Sequence, residues 1–189
     1  MSDTQTKDTQ TKDQKLPLTF RKAEKTDLEG ILSFVKEAVK VLEGLGVFQW
    51  DEIYPAREDF ARDILRGEAF VAEVLDSKTQ KRRLAAVFTL NSECDEDYKN
   101  GQWKYKGTNF LVVHRLCVNP EFQNQGIGTQ VCRSIVEISK NQDKKALRLD
   151  AFSKNPFSVK MYQKLGFSIT GTADWRKGRF YLMEKILQP

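Results

Sequence analysis

The chain has 189 residues, 40% of them hydrophobic and 30% charged, with a formal net charge of +5, which suits one domain with a sizeable core. Its longest apolar runs are short pieces such as Phe110-Leu111-Val112-Val113, far below the roughly 20 residues of a membrane span. The polar N-terminus lacks the apolar centre of a signal peptide, so a cytoplasmic protein with no membrane partner is expected.

The pentapeptide Thr-Gln-Thr-Lys-Asp occurs at residues 4–8 and again at 9–13 without an apolar side chain. Such a segment cannot offset the entropy of ordering, so residues 1–15 are expected to form a disordered tail ahead of one domain over 16–189. Leu18 to Ala23 reads as a first strand. Thr26-Asp27-Leu28-Glu29 has the form of a capping box, with Thr26 and Glu29 each satisfying a free backbone amide. The helix behind it places Leu28, Ile31, Leu32, Val35, Val39 and Leu42 on one face and ends at Gly44 and Gly46. Gln49 to Pro55 is a loop of large side chains. A second helix carries Phe60, Ile64 and Leu65 and stops at Gly67. Ala69 to Leu75 and Leu84 to Leu90 read as strands, followed by an acidic loop with a turn at Asn100-Gly101. Asn109 to Val118 is a long strand. Ile127, Val131, Ile135 and Ile138 define the next helix face, and Leu147 to Phe152 the next strand. Asn155 caps a further helix, with Pro156 at its first position and Gly166 past its end. Strands Ser168 to Thr172 and Phe180 to Leu187 close the chain around a turn at Lys177-Gly178. The fold class is mixed α/β.

Charge and cysteines exclude several functions. Glu93, Asp95, Glu96 and Asp97, and separately Asp51, Glu52, Glu58 and Asp59, offset the basic excess locally. No arginine-rich run or aromatic-basic stripe argues for nucleic acid. Cys94, Cys117 and Cys132 are scattered, with no spacing for zinc or a disulfide framework, so no metal is expected and the thiols read as reduced.

The segment Leu116-Cys117-Val118-Asn119-Pro120-Glu121-Phe122-Gln123-Asn124-Gln125-Gly126-Ile127-Gly128-Thr129 runs from a strand through a glycine-punctuated loop into a helix start. Amides at a helix N-terminus lack intrahelical partners and sit at the positive end of the helix dipole, so such a segment suits a phosphate-bearing ligand. A nucleotide-triphosphate loop would need Gly-Lys-Ser/Thr, but Gly128 is followed by Thr129 and Gln130. A dinucleotide site finds Gly126, Gly128 and a distal Asp150, yet Val131 replaces the third glycine and Asn119 to Gln125 separate strand from glycines.

Val118-x-Pro120, Gln123-x-x-Gly126-x-Gly128, then Asn155 and Tyr162-Gln163-Lys164-Leu165-Gly166-Phe167, resemble the motifs of the GNAT superfamily of acyl-CoA-dependent N-acyltransferases. The closing strand Phe180 to Lys185 also matches, and the resemblance extends over about residues 18 to 187. It implies a central, mixed and mostly antiparallel sheet, splayed at one place and flanked by helices. It further implies acetyl-CoA as co-substrate, no metal, and direct transfer of an acetyl group to a primary amine of an unidentified acceptor. Leu116, Cys117 and Val118 would meet the pantetheine arm and polarise the thioester carbonyl. Gln123, Asn124, Gln125, Gly126, Ile127, Gly128 and Thr129 would wrap the pyrophosphate, and Asn155 would hold the arm. Tyr162 would be the general acid for the departing thiolate.

Some members carry a basic glutamate at the position of Val112. His114, the only histidine, points to the same face by strand alternation and is a candidate base, as is a water relay to Asp150 or the acidic loop. Blander readings stand beside these. Tyr162 shares a face with Val159 and Leu165, Asn155 is also a cap, and Cys117 is a candidate acyl carrier or a packed thiol. Trp50, Tyr54 and Trp103 are acceptor-pocket candidates or loop staples. A non-catalytic acyl-CoA-binding sensor is the alternative function, and a homodimer remains open.

Overall fold

The computed structural model describes residues 16–76 and 78–187; the expectation for the tail, residues 1–15, lies outside them. The strands are β1 (Leu18–Lys22), β2 (Ala69–Leu75), β3 (Arg82–Asn91), β4 (Phe110–Val118), β5 (Ala146–Phe152), β6 (Ser168–Trp175) and β7 (Gly178–Ile186). The helices are α1 (Leu28–Gly44), α2 (Arg57–Leu65), α3 (Ile127–Asn141) and α4 (Pro156–Lys164). All seven strands form one sheet in the order β1-β2-β3-β4-β5-β7-β6, and every pair is antiparallel except β4–β5. A parallel pair needs a crossover, and α3 supplies it between β4 and β5. The fold class is the expected mixed α/β domain.

Helices cover both sheet faces. The inner residues of α1 and α2 (Ile31, Phe34, Val35, Ala38, Phe60, Ile64) pack on Val71, Val87 and Cys117. On the other face, Ile127, Val131, Cys132 and Ile135 of α3, with Tyr162 of α4, pack on Phe88, Leu111, Val113, Leu147, Leu149 and Met183. Tyr98, Trp103, Val112, Ala173 and Leu182 form a smaller third cluster. Central strands buried on both faces read as continuous apolar runs, which is why β4 stood out in the sequence.

Two features position the cavity described below. Strands β4 and β5 pair only from Phe110–Ala146 to Val113–Leu149. Beyond that point Cys117 and Val118 stay paired with β3 alone, and Asp150 to Phe152 with β7 alone, so the sheet parts. The second feature is a bulge. Between the pairs Val87–Cys117 and Thr89–His114 the β4 side holds one residue more than β3, and Arg115 takes a left-handed φ of 52°. The extra residue swaps the faces of β4, so Cys117 lies on the α1/α2 face while Leu116 and Val118 meet the opposite core.

Several local expectations are corrected. Helix α1 is entered through a short 3-10 turn at Lys25–Asp27, and the carboxylate that bonds back is Asp27, which accepts from the Glu24 amide at 2.7 Å. Arg21 also grips Asp27 with both terminal nitrogens, at 2.7 and 2.9 Å. Glu29, freed from capping, pairs with Arg57 of α2. Leu65 lies on the outside of α2, 75% exposed; the third inward residue is Asp63, one helical turn after Phe60. Asn100-Gly101 is not a hairpin turn but the end of a 3-10 segment, Glu96–Asn100, which rests against β6 through the Gln102 amide and the Thr170 carbonyl, 2.7 Å apart.

Candidate active site

One cavity of about 1050 Å3 opens where β4 and β5 separate. Its lining includes Leu116, Cys117 and Val118 of β4, Gln123, Asn124, Gly126, Ile127, Gly128 and Thr129 of the glycine loop, and Asn155 and Tyr162 of α4. His114 and Asp150 line it too. Of the residues singled out in the sequence for cofactor contact, Gln125 alone is not on the lining; its side chain reaches back to the Glu121 carbonyl at 3.2 Å.

The glycine loop ends at Gly126, whose φ of 73° is left-handed and which no side chain assists in capping α3. A Cβ built there would meet nothing within 4 Å. The first residues of this 15-residue helix line the cavity, and no cap side chain accepts from their amides. That is the electrostatic condition for an anion, and the residues present fit the pyrophosphate of a CoA thioester. Asn124 adds a second left-handed residue, φ 60°. The Gln123 side chain donates to the Val118 carbonyl at 3.3 Å, tying loop to strand.

Asn155 caps α4 as expected, accepting from the Ser158 amide at 3.2 Å. Its amide nitrogen donates to Gln49 at 2.8 Å, so the α1–α2 loop is tied to the rim of the cavity. Asp51 of the same loop is held by Arg176 at 2.7 Å and Lys177 at 3.2 Å from the β6–β7 turn. These contacts tie the α1–α2 loop across to α4 and to the β6–β7 turn, all of which line the cavity. Trp50, Tyr54, Trp175, Phe152 and Phe180 line the cavity too, together with Glu93 and Asp95. Trp103 does not: it stacks on Tyr98 at 5.5 Å and donates to the Tyr98 carbonyl at 2.8 Å, a staple for the 96–109 segment.

The titratable groups differ in their settings. Tyr162 is buried against Phe167, ring centroids 5.7 Å apart. Burial pushes its phenol well above the usual value, helped by Cys132 and Asp150. It therefore stays protonated at neutral pH. His114 contacts Asn91 Oδ1 through Nε2 at 3.0 Å; burial, then Arg115, push it down to about 4, so the ring is neutral and a weak proton acceptor. Burial drives Asp150 the other way, up to about 6, against the hydrogen bond it accepts from the Tyr98 hydroxyl at 2.9 Å. Burial alone pushes the Cys117 thiol up to about 12, which removes the thiolate an acyl carrier would need.

The support under the bulge is not among the residues expected from sequence. Arg115 pairs with Asp63 at 2.5 Å and Asp59 at 3.7 Å, both on α2, and the Thr89 hydroxyl donates to Asp63 at 2.6 Å. Asp63 is 2% exposed. The signal was available, because Asp63 falls on the apolar stripe of α2 between Phe60 and Ile64. Tyr98, Gln49, Arg176 and Lys177 carried no comparable signal.

Residues 50–167 match the model of the Acetyltransferase (GNAT) family. The chain belongs to that family. It is 25% identical over 100 residues to the spermine/spermidine N(1)-acetyltransferase of Bacillus subtilis strain 168, a match spanning 52% of this chain and 60% of that protein. This chain thus covers about three fifths of the curated relative. In three dimensions it resembles a GNAT-family acetyltransferase of Streptococcus agalactiae, with a TM-score of 0.77 and 22% identity over 91% of this chain and 96% of that one. It also resembles the PaiA N-acetyltransferase of Thermoplasma acidophilum solved with coenzyme A, TM-score 0.64, 19% identity, covering 90% and 99% of the two chains. At these identities the structural likenesses speak for the fold. Among the described residues no helix is long and apolar enough to cross a membrane, and no three His, Cys, Asp or Glu side chains are grouped to hold a metal.

Proposed function

We propose that this family member transfers an acetyl group from acetyl-CoA directly to a primary amine. The observation that carries the reading is the parting of β4 and β5 in line with the uncapped start of α3: one end of the cavity suits a pyrophosphate, and the gap leads an extended arm past Leu116 to Val118 toward Tyr162. The backbone of those residues, released from β5, offers amides to a thioester carbonyl. Asn155, whose oxygen caps α4 and whose nitrogen donates to Gln49, keeps one N–H for the arm. Tyr162 carries a proton at neutral pH and can pass it to the departing thiolate. Seating both reactants in one cleft supplies much of the rate by proximity.

The acceptor proposed is a positively charged amine. Asp95 and Asp150 line the cavity among aromatic side chains, a setting that attracts ammonium groups by charge and by ring quadrupole, whereas Glu93 is held by Arg66. The cations on the opposite lip, Arg176 and Lys177, are occupied by Asp51. The polyamine acceptor named for the Bacillus subtilis relative is of the same class.

Calorimetry with acetyl-CoA, followed by an assay of free CoA release with spermidine, amino acids and short peptides, tests the reading. Micromolar acetyl-CoA binding and fastest release with spermidine are expected. No binding at millimolar acetyl-CoA would sink the proposal, and binding without release by any amine would leave an acyl-CoA-binding module in its place.

A further inference from the structure

Asp150 is the first residue of β5 beyond the last pair with β4, Val113–Leu149. It therefore stands at the fork where the sheet opens. Its neighbours in register fix its face: Asp150 pairs with Leu182, which packs with Tyr98 and Val112, whereas Leu149 packs in the core under α3 and α4. Tyr162 belongs to that opposite core. The two groups thus flank the fork from opposite faces of the sheet. Addition to a planar carbonyl brings the nucleophile to one face, and the leaving group departs from the tetrahedral centre in a different direction. Two groups on two sides can carry the proton traffic of the two events separately, with neither having to serve both.

We infer that Asp150, held by the Tyr98 hydroxyl at the fork of β4 and β5, is the catalytic base that takes the proton of the acceptor ammonium. This rests on the acetyltransferase reading above. The ammonium N–H bond breaks, its pair stays on nitrogen, and the proton moves to the Asp150 carboxylate. The nitrogen pair then forms the C–N bond as the carbonyl π pair moves to oxygen. The nitrogen loses a second proton to water. Collapse restores the carbonyl, breaks the C–S bond and leaves the pair on sulfur, which takes the Tyr162 proton. Tyr162 recovers a proton from water, and Asp150 returns its own, so each turnover releases one proton.

The other candidates are less well placed. Val112, two residues before His114 on the same face, is fully buried and apolar. His114 is kept neutral by burial and by Arg115, and its Nε2 is engaged by Asn91. Tyr98 donates to Asp150 Oδ1 and is the one side chain that hydrogen-bonds it among the described residues, which leaves acceptor capacity toward the cavity. The charged and titratable groups facing Asp150 are Asp95 and Tyr98 from the 3-10 segment and its cap, Arg115 from β4, and Tyr54 and Tyr162 from the α1–α2 loop and α4. Burial dominates among them and sets a carboxylate that accepts protons in the neutral range, as a general base requires.

The experiment compares Asp150→Asn, His114→Asn and wild type with acetyl-CoA and spermidine across pH 5–10. The acidic limb of the wild-type kcat/KM profile should lie near pH 6 and vanish in Asp150→Asn. That variant should lose roughly a hundredfold or more in kcat near pH 7, keep its acetyl-CoA Kd within about twofold, and regain rate as pH approaches the pKa of the free amine. His114→Asn should keep the limb. An acidic limb preserved in Asp150→Asn, or abolished only in His114→Asn, overturns the inference while leaving acetyl transfer intact. A 13C titration of the Asp150 carboxyl in the acceptor-free protein gives a second readout; ionisation complete below pH 4 would equally overturn it. Failure of wild type to bind acetyl-CoA would remove the underlying reading instead, and this inference with it.

Discussion

Of the two side chains at the fork, only one makes a demand on the fold. A carboxyl whose pKa is raised by burial, as Asp150's is to about 6, favours the folded state when protonated. Its contribution is fully present below the unfolded value and is lost as pH rises through about 6. At neutral pH the buried charge therefore costs about 3 kcal/mol. Asp150→Asn keeps an oxygen for the Tyr98 hydroxyl and removes the charge. Its thermal stability is expected to match wild type near pH 4 and to exceed it increasingly toward pH 8; equal melting temperatures at both ends would refute the strain. Tyr162 makes no such demand. Its hydroxyl has no protein hydrogen-bond partner among the described residues, and its ring packs on Phe167. Tyr162→Phe should thus leave stability almost untouched, lower kcat by roughly 10²–10⁴ and change acetyl-CoA affinity little. Unaltered turnover would take Tyr162 out of the acid role.

Elements hold these side chains in place through buried polar ties. Arg148 of β5 donates to Glu184 of β7 at 3.3 Å and to the Tyr105 carbonyl at 2.8 Å, while Glu184 accepts from the Lys104 amide at 2.7 Å. The guanidinium is sandwiched by Phe110 and Trp103, 3.8 and 4.2 Å from their ring centres. Removing one partner strands a buried charge, so Arg148→Met is expected to cost about 3–5 kcal/mol in urea unfolding. Arg148→Met with Glu184→Leu should recover much of that loss; a single variant within 1 kcal/mol of wild type would show the pair to be dispensable. At the start of α3, Gly126→Ala forces a Cβ onto a left-handed residue, costing roughly 1–2 kcal/mol, and points it into the space proposed for pyrophosphate. Acetyl-CoA binding should weaken roughly tenfold, and unchanged affinity would move the phosphates elsewhere. These elements differ in how well the sequence displayed them. Helices α3 and α4 were legible because Gly126, Asn155, Pro156 and Gly166 are demanded by local backbone geometry. The bulge at Arg115 was not, since arginine in a left-handed conformation has no local signature and is held by Asp63, 52 positions away in sequence. Leu65 was misplaced because periodicity counts an apolar residue inward even when a paired carboxylate takes that position. Trp103 and Tyr54 look alike in sequence; the staple to Tyr98 separates them only in three dimensions.

At the scale of the molecule, the cavity draws its wall from segments far apart in the chain. Helix α1, its following loop, β4, the glycine loop, β5, α4 and the β6–β7 turn all contribute, and the loop is pinned across it by Gln49–Asn155 and Asp51–Arg176. None of these segments can bind alone, because the uncapped amides of α3, the free edge of β4 and the mouth of α4 come together only in the folded sheet. A ligand spanning them binds the native state and has no counterpart in the unfolded chain. Its binding free energy then adds in full to global stability: about 2.7 kcal/mol at a hundredfold excess over Kd. For a chain of this size the melting temperature should rise by roughly 5–10 °C with acetyl-CoA. Hydrogen exchange should slow together at Leu116 to Val118, at the first turn of α3 and at the start of α4. Releasing the α1–α2 loop with Asp51→Ala should leave most of the acetyl-CoA shift intact, because Asp51 is tied to Arg176 and Lys177 rather than to the glycine loop, but should raise KM for the proposed amine. Protection confined to the glycine loop, with no gain along β4, would show that the ligand does not enter the gap between the strands.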